Sequence, residues 1–197
     1  MRSIGKTALS ACAVGVLAMT FACSSSSTAA TDDDAGGKSD APAASGPPKC
    51  TGGENAYETY KLAGFQAVTA EIFTKVGADK SGMLGTSFSK IGTGMPAATT
   101  DDAATFEGTL NAFLVYAYGG PTSSVYSDGK TYDGKIDMTA AHTGLAITAD
   151  QYNYFVSDIV VPALLAEKVP MADVTACFAP VITGTTGAAF MASIVGH

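Results

Sequence analysis

The sequence predicts an all-α domain, and three observations carry that prediction. Apolar residues recur at helical spacing in separate stretches, glycine and proline punctuate the gaps between them, and no segment is dominated by the two-residue alternation of a half-buried strand. The first predicted helix covers residues 63–78, with Phe65, Val68, Ile72, Phe73 and Val76 on one side and Gly77 and Asp79 at its end. Residues 80–100 are rich in Gly, Ser, Thr and Met and read as an irregular loop. Thr100-Asp101-Asp102 signals a second helix, 103–118, carrying Phe106, Leu110, Phe113, Leu114 and Ala117. Gly119-Gly120-Pro121 stops it.

A polar loop, 122–133, follows, and then a short helix, 137–143, that carries His142 and ends at Gly144. Thr148 and Gln151 have the spacing of a capping box and open a helix running to about Lys168, with Pro162 expected to kink it. Val169-Pro170 separates that helix from one over 171–182, disturbed late by Pro180, and residues 188–195 are long enough for one more turn. No internal repeat is visible.

The chain begins Met1-Arg2-Ser3-Ile4-Gly5-Lys6 and stays apolar to Ala22. A basic start with a short apolar run reads as an export signal, too short to anchor as a spanning helix. Cys23 after Thr20-Phe21-Ala22 suggests lipoprotein processing over residues 1–22 with lipid on Cys23; the alternative is a plain secretory signal cleaved nearby. Leu9-Ser10-Ala11-Cys12 fits the local pattern, but Lys6 leaves it almost no apolar run. After Cys23, the rest of 23–49 is Ser, Thr, Ala, Asp, Gly and Pro apart from Lys38 and Lys49, with no aromatic, which predicts a disordered tether. Ser24 and Ser25 carry no acidic retention signal, which points to the outer membrane of a Gram-negative cell. Residues 50–197 are one domain by length.

Of 11 basic residues, Arg2 and Lys6 fall in the leader, leaving nine lysines against 18 acidic residues, a net charge of −9. That balance excludes nucleic acid as a partner. With Cys23 lipidated, Cys50 and Cys177 are left, and two thiols in an oxidising compartment pair if geometry permits; otherwise they remain free, with Cys177 buried as a small apolar residue.

His142 is the interior histidine of the exported chain, the other being His197. A neutral imidazole is a common ligand for transition metals and haem iron. It sits in Met138-Thr139-Ala140-Ala141-His142, after Gly119-Gly120-Pro121 and Tyr132-Asp133-Gly134 and before Ile147-Thr148. In this order these motifs resemble the group I truncated haemoglobins, specifically over residues 106–180 and loosely from Tyr57. The resemblance implies a two-over-two helical globin sandwich, haem b as cofactor and His142 as proximal ligand. Met138 and Ile147 would border the haem, and Phe88 would pack on its face.

By the same alignment, Phe73 stands where the family usually has Tyr, and Leu110 where it usually has Gln. Phe106 occupies the other distal position. All three are apolar, so no hydroxyl or amide is aimed at the sixth coordination site. A hydrogen bond in a dry site is worth about 1–3 kcal/mol, so its loss weakens dioxygen binding roughly tenfold or more, while carbon monoxide and nitric oxide lose less. Met83 or Met95 could supply a sixth ligand. The propionates would pair with lysine or with solvent.

The expected function is binding or sensing of a small gas (dioxygen, nitric oxide or carbon monoxide), or nitric oxide, peroxide or electron-transfer chemistry, at a membrane reached through the lipid on Cys23. The alternative is a haem-free globin-fold lipoprotein serving as an interaction or structural module. A third reading makes His142 an enzymic base, although no nucleophile elbow is present. Too few ligands exist for a zinc site, and residues 128–137 echo a calcium loop without its ligand spacing or its terminal Glu.

Overall fold

Helix α1, Ala56–Ala78, starts seven residues before the sequence-predicted helix, because Asn55 and Glu58 form a reciprocal cap. Glu58 N–H donates to Asn55 Oδ1 at 2.7 Å, and Asn55 N–H donates to Glu58 Oε2 at 3.0 Å. The structure, a computed structural model, describes residues 46–85, 103–183 and 185–197. The predicted leader, Cys23, the tether up to residue 45, Phe88, Met95 and most of the predicted 80–100 loop lie outside the described residues.

Part of the predicted tether is packed. Lys49 bridges to Asn55, and Pro47 lies close to Gly119. Within α1, Lys61 leaves helical geometry at φ 56°, ψ 177°, so the helix is two pieces joined at a kink. The second piece buries Phe65, Val68, Ile72, Phe73 and Val76, the stripe visible in the sequence.

Helix α2, Ala103–Ala117, packs against α1. Its end explains Gly119-Gly120: Gly120 N–H donates to Val115 O at 2.8 Å and Gly119 N–H to Tyr116 O at 3.1 Å, with Gly119 at φ +95°. That is a Schellman closure, which needs a residue tolerant of positive φ.

The predicted polar loop contains a small antiparallel hairpin, β1 (Ser123–Val125) with β2 (Thr131–Asp133), in the register Ser124 opposite Tyr132. Its three-residue strands are too short for alternation to show in the sequence. The hairpin lies on α2, and Gly134 just after it sits so close to the Ala112 carbonyl that a Cβ there would collide. Residues 128–137 thus make a turn, a strand and a cap, and among the described residues no group of three or more acidic, histidine or cysteine side chains could hold a metal ion.

Helix α3, Met138–His142, is capped by Asp137, whose Oδ1 accepts from Ala140 N–H at 3.0 Å. Helix α4 spans 149–166 and opens on the Thr148–Gln151 capping box read from the sequence. It is α-helical over Ala149–Tyr154, π-helical over Phe155–Val160 and α-helical again over Val161–Ala166. Helix α5, 171–182, repeats the pattern, with a π segment at Val174–Phe178 before Ala179–Ile182.

Each π segment ends two residues before a proline, Pro162 or Pro180. A proline lacks the N–H and crowds the carbonyl four residues back; the wider π turn relieves both conflicts. At Pro162, where a kink was expected, the helix carries a widened turn, with Val160 and Val161 still in right-handed helical geometry. Helix α6, Thr185–Ala192, starts three residues before the predicted last turn and packs against α5.

The chain is mostly helical, broadly all-α, and α1 contacts both α2 and α4. A disulfide joins Cys50, ahead of α1, to Cys177 in α5. No described helix is long and apolar enough to cross a membrane.

Candidate functional site

An apolar cavity of about 270 Å³ opens between the helices. Six residues singled out from the sequence line it: Phe73 from α1, Phe106 and Leu110 from α2, Met138 and His142 from α3, and Ile147 from the turn before α4. Phe88 lies outside the described residues. Met83 is exposed, at 47%, and is not among the described lining residues.

His142 is placed by its own helix. Its Nδ1 lies 2.7 Å from the Met138 carbonyl oxygen. A carbonyl only accepts, so Nδ1 carries the proton and donates, which leaves Nε2 as the ring nitrogen with a free lone pair. Asp137 caps the five-residue helix that holds this geometry. Burial pushes the imidazole pKa below its ordinary range; the bond to Met138 opposes that shift, and nearby His197 adds to it. The ring is therefore neutral under mild conditions, the state that binds a metal.

Part of the cavity wall is greasy. Phe73 and Phe106 meet edge to face, with ring centres 5.5 Å apart, and Leu110 lies one helical turn beyond Phe106. Four described lining residues bear hydroxyls, and each is bonded to a protein acceptor. Thr109 donates to Thr105 O at 2.8 Å, Tyr118 to Phe178 O at 3.2 Å, Tyr152 to Ile182 O at 2.9 Å and Tyr60 to Asp173 Oδ2 at 2.5 Å. Glu167, an exposed residue at the end of α4, is the lining carboxylate among the described residues.

Several lining residues were missed as site residues in the sequence. Phe113 sits three residues after Leu110 on the same face of α2, so its spacing was a usable signal. Tyr60, Phe178 and Phe190 reach the cavity from the first piece of α1, from α5 and from α6, through tertiary packing that no local pattern encodes. Tyr60, Phe65, Tyr118 and Phe178 form a ring cluster there, with Tyr118 and Phe178 centres 5.1 Å apart.

Ile147 is pinned by the tail of the chain: Gly196 N–H donates to Ile147 O at 2.9 Å and Ala146 N–H to His197 O at 2.7 Å. No protein-family model matches this chain, and no curated protein matches it.

Proposed function

We propose that this chain is an exported, lipid-anchored globin-like protein that holds haem b through His142 and binds small gaseous ligands. One observation carries the reading. A single imidazole stands on the wall of an apolar cavity with its Nδ1 proton bonded to the Met138 carbonyl, which leaves Nε2 free as a donor to iron.

The donor set fits the group. The cavity offers flat aromatic and aliphatic walls, one nitrogen ligand and no competing free hydroxyl among the described lining residues. Bound haem would supply an iron with an open sixth position for nitric oxide, carbon monoxide or dioxygen. His142 would bind it from α3, with Met138 and Ile147 beside that ligand and Phe73, Phe106 and Leu110 on the far side. Phe88 would pack on the haem face. These apolar side chains exclude water and offer no hydrogen bond to a bound ligand, which favours nitric oxide and carbon monoxide over dioxygen. No lysine is among the described lining residues, so the propionates would reach solvent.

The resemblance to truncated haemoglobins supports a two-over-two arrangement, with α1 and α2 crossing α4 and α5. The leader and Cys23 support placement at a bacterial outer membrane, with the oxidising side of the envelope matching the Cys50–Cys177 bridge.

The test is optical. The purified domain with added hemin should develop a Soret band that shifts on reduction and again with carbon monoxide, and His142→Ala should abolish it. A folded protein that stays colourless and rejects hemin overturns the reading in favour of a haem-free interaction module.

A further inference from the structure

Three tyrosines line the cavity, and their phenols end on different partners. Tyr118 and Tyr152 donate to backbone carbonyls. Tyr60 donates to a carboxylate, Asp173 Oδ2, at 2.5 Å. The difference is chemical. A phenol that gives up an electron becomes a strong acid and must lose its proton, and a carboxylate accepts it far more readily than an amide oxygen does.

Asp173 is built for that role. It is buried, and Thr51 donates to its Oδ1 from both the backbone N–H, at 2.9 Å, and Oγ1, at 2.5 Å. Those bonds hold it as the anion, and its neighbourhood keeps the Tyr60 phenol protonated at rest. The Tyr60 ring lies 5.6 Å from Phe178, in the ring cluster at the cavity wall.

We propose that Tyr60 is the electron-donating side chain of this cavity toward hydroperoxides, with Asp173 receiving its proton. The proposal rests on the haem reading. A hydroperoxide takes up two electrons and two protons as its O–O bond breaks, giving an alcohol and water. Two Tyr60 phenols, one from each of two chains, balance it: ROOH + 2 TyrOH → ROH + H2O + 2 TyrO•. Bound haem would supply the redox chemistry that takes each electron to the hydroperoxide, while each phenolic proton moves to Asp173 and on, through water, to the oxygens released as the alcohol and water.

The chain carries its own controls. Tyr126, Tyr132 and Tyr154 donate to Glu107, Asp128 and Asp79 but are not among the described lining residues of the cavity. Hemin-loaded protein treated with hydrogen peroxide and a nitroso spin trap, then mapped by peptide mass spectrometry, should carry the adduct on Tyr60. Tyr118, Tyr152 and the three controls should carry roughly tenfold less. Asp173→Asn keeps the shape of the side chain and one acceptor oxygen, enough for Thr51 or for Tyr60 but not for both, and removes the base; it should cut Tyr60 labelling roughly tenfold. Tyr60→Phe keeps the ring and should lose the tyrosyl radical signal in electron paramagnetic resonance.

Labelling centred on Tyr118 or on the controls, or unchanged by Asp173→Asn, overturns the proposal. A second arm oxidises hemin-free protein with a photo-excited ruthenium complex and compares wild type with Asp173→Asn. Failure to bind hemin sinks the proposed function, whereas a Tyr60 oxidation rate that ignores Asp173→Asn in this arm sinks the Tyr60–Asp173 pair itself.

Discussion

His142 couples its tautomer to acid sensitivity. Its folded-state pKa lies below the ordinary value of 6.5, chiefly through burial. On acidification the unfolded chain therefore takes the proton first. This site's contribution to stability is fully present above about pH 6.5, declines as pH falls below that, and levels off beneath the folded pKa. Urea titrations at a series of pH values should show that slope, and His142→Gln should flatten it. Lys61 offers a change of the opposite sign. Its φ of 56° with ψ of 177° is a region almost confined to glycine, so Lys61→Gly should raise stability by about 1 kcal/mol, read as a higher urea midpoint. Gly134 reverses the logic: a methyl there meets the Ala112 carbonyl, and Gly134→Ala should destabilise by roughly 1–3 kcal/mol in the same assay.

At the scale of elements, α3 is the least self-sufficient piece, since five residues cannot hold a helix without caps and packing. Asp137→Ala removes its N-terminal acceptor and should lower stability by about 1 kcal/mol, and it should weaken hemin binding, because the helix that aims His142 frays. Local chemistry made much of this level readable. Thr148 and Gln151 announced their capping box, Gly119-Gly120 their Schellman closure, and the stripe from Phe65 to Val76 its buried face. The Asn55–Glu58 box was equally present and was missed because no apolar stripe begins beside it. The π segments were legible only as their proline cause: Pro162 and Pro180 signalled a conflict, but the sequence does not say whether a helix breaks or widens. Phe73, Phe106, Leu110, Met138, His142 and Ile147 were singled out through the resemblance and line one cavity, whereas Tyr60 and Asp173 are 113 residues apart and meet only in the folded chain.

For the whole molecule, the Cys50–Cys177 bridge is the longest covalent constraint among the described residues, spanning a sequence separation of 127. Closing so long a loop restricts the unfolded chain and is worth roughly 2–5 kcal/mol. Thermal melts with and without a thiol reductant should therefore separate clearly, and a Cys50→Ser/Cys177→Ser double variant should track the reduced sample. Beside the bridge, Thr51 and Asp173 make a second, non-covalent tie between the same two segments. The arm before α1 should therefore stay docked on α5 in partly reduced protein.

The bridge also decides what a single proteolytic cut can do. Lys130 is exposed at the hairpin tip, between the two half-cystines. Trypsin cleaving there would sever the backbone yet release nothing. On a non-reducing gel the nicked product would migrate as one band, the fragment bearing Tyr60 still tethered to the one bearing His142, and a reductant would split it into two.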